Sequence, residues 1–390
     1  MDKKITIYTL IAFVIGIISG IFAPNVMLSL GFLGDMYINL LKLLIIPILF
    51  CSIFTSLSKK DSGNMSNIIK KTIIVFIGMF IASFLINYIY VFLLNPGAQF
   101  AFIEVEWEGE LIALNIGQFI SSLIPDNILK AAMNNQILPV ILFAFVSGLT
   151  TKKLPKKDSI INLVEELGQL FNKLLEYVIY LSPIGVFSLI GVTAAKFGVS
   201  VFIIAIKYIL MAWSGTILIT LLVMIIPLWY KCKISPIEYL KKIANVWLIA
   251  LSTRSSAATL PTTIKTANEQ FNVPEEITDI VVPLGCTIHM CGGAVSFSLL
   301  ALFNCQMLGI SVTPVMFIIM VLSALLLNMG APGIPGGGIA LGATYLSILN
   351  IPLNFIGFYA GIYPLLDMAY TTLNVTGDIT ANCLIKESLE

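Results

Sequence analysis

The stretch Asp367-Met368-Ala369-Tyr370-Thr371-Thr372-Leu373-Asn374-Val375-Thr376-Gly377-Asp378 decides the reading of this chain. It lies inside a long apolar segment, yet it carries two carboxylates, an amide and several hydroxyls. On a helix, Asp367, Thr371, Asn374 and Asp378 fall at i, i+4, i+7 and i+11, a single stripe of one face. The two carboxylates then stand about 16 Å apart, roughly half the hydrocarbon core of a bilayer. An ionised group at that depth costs at least about 2.5 kcal/mol, so each needs a partner. Such a stripe is the wall of a polar site inside a membrane-embedded helical protein.

The rest of the chain fits that setting. Hydrophobic residues make up 58 % and charged residues 11 %, the balance of a polytopic membrane protein rather than a soluble domain. The 390 residues leave room for about eight spans and their connections. A net charge of +1 argues against a nucleic-acid partner. The cysteines (Cys51, Cys232, Cys286, Cys291, Cys305, Cys383) fall mostly in apolar runs without a C-x-x-C and read as free thiols. Cys286, His289 and Cys291 lack a fourth ligand at zinc-site spacing, so neither a resident metal nor another cofactor is expected. Lys3 and Lys4 before an apolar run look like the start of a signal peptide. The run is long and no small-x-small cleavage pattern follows, so it reads as a retained first span.

Spans are expected at 5–22, at 30–57 with Asp35, Lys42 and Pro47 inside, and at 72–94. A fourth ends at 137–149 and is broken by Pro125 and Asn134-Asn135; a fifth takes 170–195 with a kink at Pro183, and a sixth 201–229. Lysines gather after every second span: Lys59 and Lys60 with Lys70 and Lys71, then Lys152, Lys153, Lys156 and Lys157, then Lys231, Lys233, Lys241 and Lys242. The loop beyond Asn95-Pro96-Gly97 is acidic, with Glu104, Glu106, Glu108 and Glu110. This alternation places both termini in the cytoplasm if the remaining crossings are even in number.

After Lys242 the pattern changes. Residues 243–251 are apolar but too few to span, and they run into Ser252-Thr253-Arg254-Ser255-Ser256-Ala257-Ala258-Thr259-Leu260-Pro261 and a second helical piece ending near Asn268. Two short helices around a polar tip make a re-entrant hairpin, tolerated where the tip lines a cavity. Span 7 begins near Ile277 and is expected to unwind around Gly285, His289, Cys291 and Gly292-Gly293. A second hairpin follows, 315–327 and 339–349, around Asn328-Met329-Gly330-Ala331-Pro332-Gly333-Ile334-Pro335-Gly336-Gly337-Gly338, a run poorly suited to a helix. Span 8 takes 354–386. Paired, Gly/Pro-interrupted short segments point to the midplane site of a secondary transporter. Half-helix N-termini there suit a carboxylate, and unwound carbonyls suit a cation.

Four ordered motifs resemble the glutamate transporter family of dicarboxylate/amino acid:cation symporters: 252–261, Pro283-Leu284-Gly285-Cys286-Thr287-Ile288-His289-Met290-Cys291-Gly292, the 330–338 tip and 367–378. Asn95-Pro96-Gly97 and Ser182-Pro183-Ile184-Gly185-Val186-Phe187 extend the likeness over nearly the whole chain. The resemblance implies an all-α polytopic membrane protein with eight transmembrane helices plus two re-entrant hairpins, a homotrimer in the cell membrane, and elevator motion. Residues 1–71 and 101–200 (spans 1, 2, 4 and 5) would form the scaffold. Residues 72–100 and 201–390 (spans 3, 6, 7 and 8 with both hairpins) would form the moving transport domain. It also implies that a substrate α-carboxylate meets Ser255 and Ser256, the second tip at Gly333 and Ile334, and Asn374, with Gly338 a further substrate-binding residue. Asp367 and Thr371 would take the α-amino group.

The departures from that family are more informative. Members that carry acidic substrates have an arginine on span 8 where this chain has Tyr370, and a threonine on span 7 where it has Gly293. The only arginine in the chain is Arg254, on the first hairpin. A second substrate carboxylate would be buried with poor compensation, so a neutral amino acid is expected, with Tyr370 and Gly293 shaping the side-chain pocket. An acidic substrate stays open because Arg254 could reach the site. In place of the family's span 7 Asn-Met-Asp-Gly-Thr stands His289-Met290-Cys291-Gly292-Gly293, faced by Phe76, Met79 and Phe80 of span 3. Sodium wants oxygen ligands, so the deepest sodium site is expected to be lost. A second would keep Asp378 and the carbonyls of Gly285 and Asn374, with His289 in place of its asparagine. A third, from carbonyls at Thr287, Asn328, Met329 and Ala331, does not depend on side chains. His289, the only histidine, reads either as a neutral packing imidazole or as a protonatable partner of Asp378 that couples transport to protons. Ser256, His289 and Asp378 also have the residue types of a hydrolase triad, without the G-x-S-x-G elbow. A channel is the remaining alternative.

Overall fold

The computed structural model describes residues 3–58, 65–98, 117, 121, 123–134, 136–198, 200–329 and 336–389. The lysines at 59–60, the acidic loop, Asn135 and the second tip at 330–335 lie outside the described residues. Every regular element described is helical. Span 1 is Lys3–Phe22; a short helix, Pro24–Ser29, leads into span 2, Gly31–Ser58. Span 3 is Met65–Leu94, and span 4 is two pieces, Ile128–Met133 and Ile137–Thr151. Four stretches are both long and apolar enough to cross a bilayer: Pro24–Thr55, Asn67–Leu94, Phe202–Lys231 and Glu275–Met307. A fifth, Lys157–Tyr180 with Ser182–Lys196, qualifies as a pair bent by 54°. Leu43, Ile74 and Leu93 are 69 %, 70 % and 74 % exposed on these helices, a surface suited to lipid rather than water.

Several boundaries differ from the apolar runs. Span 3 starts at Met65, so Lys70 and Lys71 are helical. Span 5 starts at Lys157 and breaks at Leu181, with Pro183 in the first turn of its second helix, so the expected kink is a full bend. The first arm of the first helix pair is Pro236–Thr253, capped by Ser235 and carrying Lys241 and Lys242. Lysine is a good helix former, and helices end at caps rather than at the edge of an apolar run. Span 6 widens into a π turn at Thr220–Ile225, just before Pro227, which has no N–H to give the Val223 carbonyl.

The last helix, Ile356–Leu389, is the centre of the second half of the chain. Packed around it are both arms of the first pair, Pro236–Thr253 and Ser256–Phe271, both halves of span 7, Glu275–Ile288 and Cys291–Met307, and Gly337–Ile348 of the second pair. Pro364 bears on its interior without ending it. The stripe faces inward as expected: Asp367, Thr371, Asn374 and Asp378 are all buried. Span 7 breaks at His289-Met290, neither of them helical and His289 extended, while Gly285 stays helical and Gly292-Gly293 already belong to the second half.

Candidate substrate cavity and buried ion site

The first pair turns at Arg254, whose backbone is left-handed (φ 53°), and Ser255 then caps the second arm by accepting from Ala258 N–H at 3.2 Å. That turn delivers Arg254 and Ser256 into a cavity of about 50 Å³, room for a few water molecules. Of the predicted substrate residues, Ser256, Gly293, Gly338, Asp367, Tyr370, Thr371 and Asn374 line it. Ser255 is beside it as the helix cap; Gly333 and Ile334 lie outside the described residues. Met290, Phe297 and Leu341 supply apolar wall.

Among the described residues, Arg254 and Asp367 are the only charged ones on that lining, and each is the other's nearby opposite charge. Asp367 Oδ2 accepts from the Gly336 N–H at 3.1 Å, and Thr371 Oγ1 donates weakly to Oδ1 at 3.5 Å. The carboxylate thus ties the start of the second pair's last arm to the final helix. It is a partnered anion at the depth where an isolated one would be costly.

The break in span 7 leaves helix-end N–H groups that need acceptors. Asn374 Oδ1 accepts from Gly292 N–H at 2.7 Å. Asn328, with its amide oriented to satisfy both contacts, donates to Met290 O at 3.0 Å and accepts from Met290 N–H at 3.1 Å. The side chain of Asn328 therefore docks the second pair on the break, a role the sequence reading missed in assigning Asn328 only a carbonyl. Asparagine beside an unwound segment was the available signal.

On the far side of the break is a second, sealed cluster. His289 Nδ1 lies 3.1 Å from Asp378 Oδ1, and Nε2 lies 3.1 Å from Cys291 Sγ, both at hydrogen-bonding distance. Phe76 stacks face to face on the ring, with centroids 4.1 Å apart and planes 5° from parallel. An aromatic face there also suits an imidazolium. Met79 and Phe80 are buried as well, and Gly285 lies so close to Asp378 that a Cβ would sit 2.1 Å from Oδ1. Of the residues expected at the cation sites, Gly285, His289 and Asp378 come together here. The Gly285 carbonyl already accepts from His289 N–H at 3.0 Å. Thr287 Oγ1 donates to Leu284 O, Met329 N–H to Leu325 O, and Ala331 lies outside the described residues.

The structure does not assemble the serine triad. Ser256 faces the cavity, whereas both nitrogens of His289 are engaged with Asp378 and Cys291. Cysteine, histidine and aspartate stand in triad order, but at 0 %, 0 % and 2 % exposure no substrate reaches the thiol.

A polytopic helical protein with a small, charge-balanced cavity at a broken helix, and a separate sealed ionisable cluster beside it, is built to bind and carry small molecules. A sequence profile of the sodium:dicarboxylate symporter family matches residues 5–388, and the chain belongs to that family, one of transporters and not of enzymes. The chain is 28 % identical to the proton/glutamate-aspartate symporter of Escherichia coli K12, over 90 % of this chain and 83 % of that protein. It is 27 % identical to the C4-dicarboxylate transport protein of Bacillus subtilis 168 (99 % and 94 %). Identity to the proton/sodium-glutamate symport protein of Bacillus caldotenax is also 27 % (97 % and 92 %).

Proposed function

We propose that this protein is a secondary active symporter of neutral amino acids, coupled to protons or to fewer sodium ions than is usual in its family. The observation that carries the substrate class is the charge balance of the cavity. One guanidinium, Arg254, and one carboxylate, Asp367, match the carboxylate and ammonium of a zwitterion. A second substrate carboxylate would find no second cation among the described lining residues, and a buried charge without a counter-charge is strongly disfavoured. Coupling follows from the sealed cluster. An imidazole bonded to Asp378 fills the niche, and Phe76, Met79 and Phe80 offer sodium no oxygen. We extend the proposal to a homotrimer in the cell membrane with both termini cytoplasmic. In it the hairpins, span 3 and spans 6–8 travel as an elevator against spans 1, 2, 4 and 5.

The second reading is a sodium-coupled symporter of acidic amino acids or dicarboxylates, favoured by Arg254 lining the cavity and by the named activities of the relatives. Uptake by proteoliposomes under separate proton and sodium gradients tests both. Alanine or serine is expected to outcompete aspartate and succinate, and a proton gradient alone is expected to drive uptake. His289→Gln should abolish that proton-driven component. Aspartate prevailing overturns the substrate class; uptake driven by sodium alone and unchanged in His289→Gln overturns the coupling.

A further inference from the structure

Span 6 ends in a group of side chains that lies outside both the cavity and the buried cluster: Trp229, Tyr230, Lys231 and Lys233. Trp213 gives its indole N–H to Leu365 O at 3.2 Å, and Trp247 gives its own to Thr376 Oγ1 at 2.8 Å. Trp229 is different. It is 58 % exposed and Tyr230 79 %, and neither side-chain polar atom has a hydrogen-bond partner among the described residues. Aromatic rings of this kind at the end of a spanning helix sit at headgroup level, with the apolar body in hydrocarbon and the polar tip in the interface. The turns just before them expose Leu221, Leu222 and Ile226, an apolar surface for acyl chains.

The helix then stops. Cys232 N–H and Ile234 N–H both return to Leu228 O, at 2.9 and 3.4 Å, and Lys233 between them is left-handed at φ 58°. Lysine is an unusual residue there, since glycine takes that conformation at no steric cost. The turn carries the ammonium back to the helix end: Lys233 Nζ donates to Tyr230 O at 3.0 Å and stands 5.6 Å from the centre of the Tyr230 ring. That bond uses one of its three protons. Lys231 and, on the next helix, Lys241 are exposed, with no ion pair among the described residues. Glu238 is the only carboxylate between Ile226 and Asn245, and Lys242 already holds it at 2.7 Å. We propose that this end of span 6 binds an anionic phospholipid, with Lys231 and Lys233 on its phosphate and the Trp229 and Tyr230 rings against its glycerol and upper chains. Charge complementarity selects the ligand. Ammonium groups with protons to give match a phosphate whose charge is uncompensated, whereas a zwitterionic lipid brings its own cation to the same place. The site lies where span 6 leads into the first helix pair, through the connection that ends at the Ser235 cap.

The test is quenching of tryptophan fluorescence in the full chain, reconstituted in mixtures of phosphatidylcholine and phosphatidylglycerol with one lipid at a time brominated on its chains. Subtracting the signal of Trp229→Phe isolates that residue. Phosphatidylglycerol is expected to win the place beside Trp229 by about ten- to thirtyfold, the scale of two lysines near an anionic headgroup. Lys231→Gln combined with Lys233→Gln is expected to bring the ratio near one. Lys153→Gln combined with Lys156→Gln removes the same charge from the connection between spans 4 and 5 and is expected to leave the ratio unchanged. Soluble glycerol 3-phosphate is expected not to compete. All these positions are exposed, apart from the partly buried Lys153, so each variant should melt like wild type. Equal quenching by the two lipids in the wild-type protein overturns the proposal, as does a ratio insensitive to the loss of Lys231 and Lys233. An equal fall in both double variants overturns the site in favour of general surface charge. Displacement by glycerol 3-phosphate overturns the lipid as its ligand. Lipid contact is the readout, so the result is independent of the substrate and of the coupling ion.

Discussion

Asp367→Asn is expected to lower uptake by about two to nearly four orders of magnitude, the 3–5 kcal/mol lost when one member of a buried charge pair is removed. The size follows from what Asp367 touches. It is the single anion among the described residues of the cavity lining, it lies near Arg254, and it accepts the Gly336 N–H. Asparagine keeps one carbonyl acceptor, so the contact with Gly336 survives while the charge that balances Arg254, and that the proposed function sets opposite a substrate ammonium, is gone. The variant therefore separates recognition from closure. Wild-type protein should show a rise in melting temperature with substrate, and Asp367→Asn should melt as a folded protein without that rise. An Asp367→Asn protein that binds and transports within a few-fold of wild type would remove Asp367 from the site. Adding Arg254→Gln should restore part of the stability lost by leaving the guanidinium without its counter-charge, since the pair rather than either member is what burial tolerates.

What the sequence disclosed and what it hid divide along a physical line. The stripe Asp367, Thr371, Asn374, Asp378 was legible because helical periodicity alone puts the four side chains on one face, and apolar surroundings give that face only one direction to point. The break in span 7 and the helix pairs were legible from prolines, glycines and clustered hydroxyls, which act within a turn or two of where they stand. Helix starts were less so, since Lys157, Lys241 and Lys242 sit inside helices that continue past the apolar edge. The contacts that define the site join distant residues: Asn328 to Met290, Gly336 to Asp367, Phe76 to His289. No local pattern encodes them. His289 beside Asp378 was foreseen, but the Cys291 contact at its other nitrogen was not. Two residues apart across a break, their side chains meet only because both flank extended backbone.

Gly292→Ala is expected to be the most damaging single-methyl change in the chain's second half. A Cβ at Gly292 would lie 2.2 Å from the Tyr370 carbonyl oxygen and 2.6 Å from its Cα and carbonyl carbon. All three are backbone atoms of a helix packed on several sides, so no side chain can swing away to make room. The two helices must part, at an overpacking cost of about 1–3 kcal/mol. Separation also stretches the 2.7 Å bond from Gly292 N–H to Asn374 and carries Tyr370 and Asn374 away from Ser256 on the opposite wall. Melting temperature and substrate affinity should therefore fall together. Gly78→Ala is the control: it adds the same methyl to an exposed helical glycine of span 3 with nothing within 4 Å. There the gain in helix propensity, about 0.5–1 kcal/mol, should leave stability equal or slightly higher. If the two variants melt and transport alike, the close approach of span 7 to the last helix is not what holds the cavity in shape.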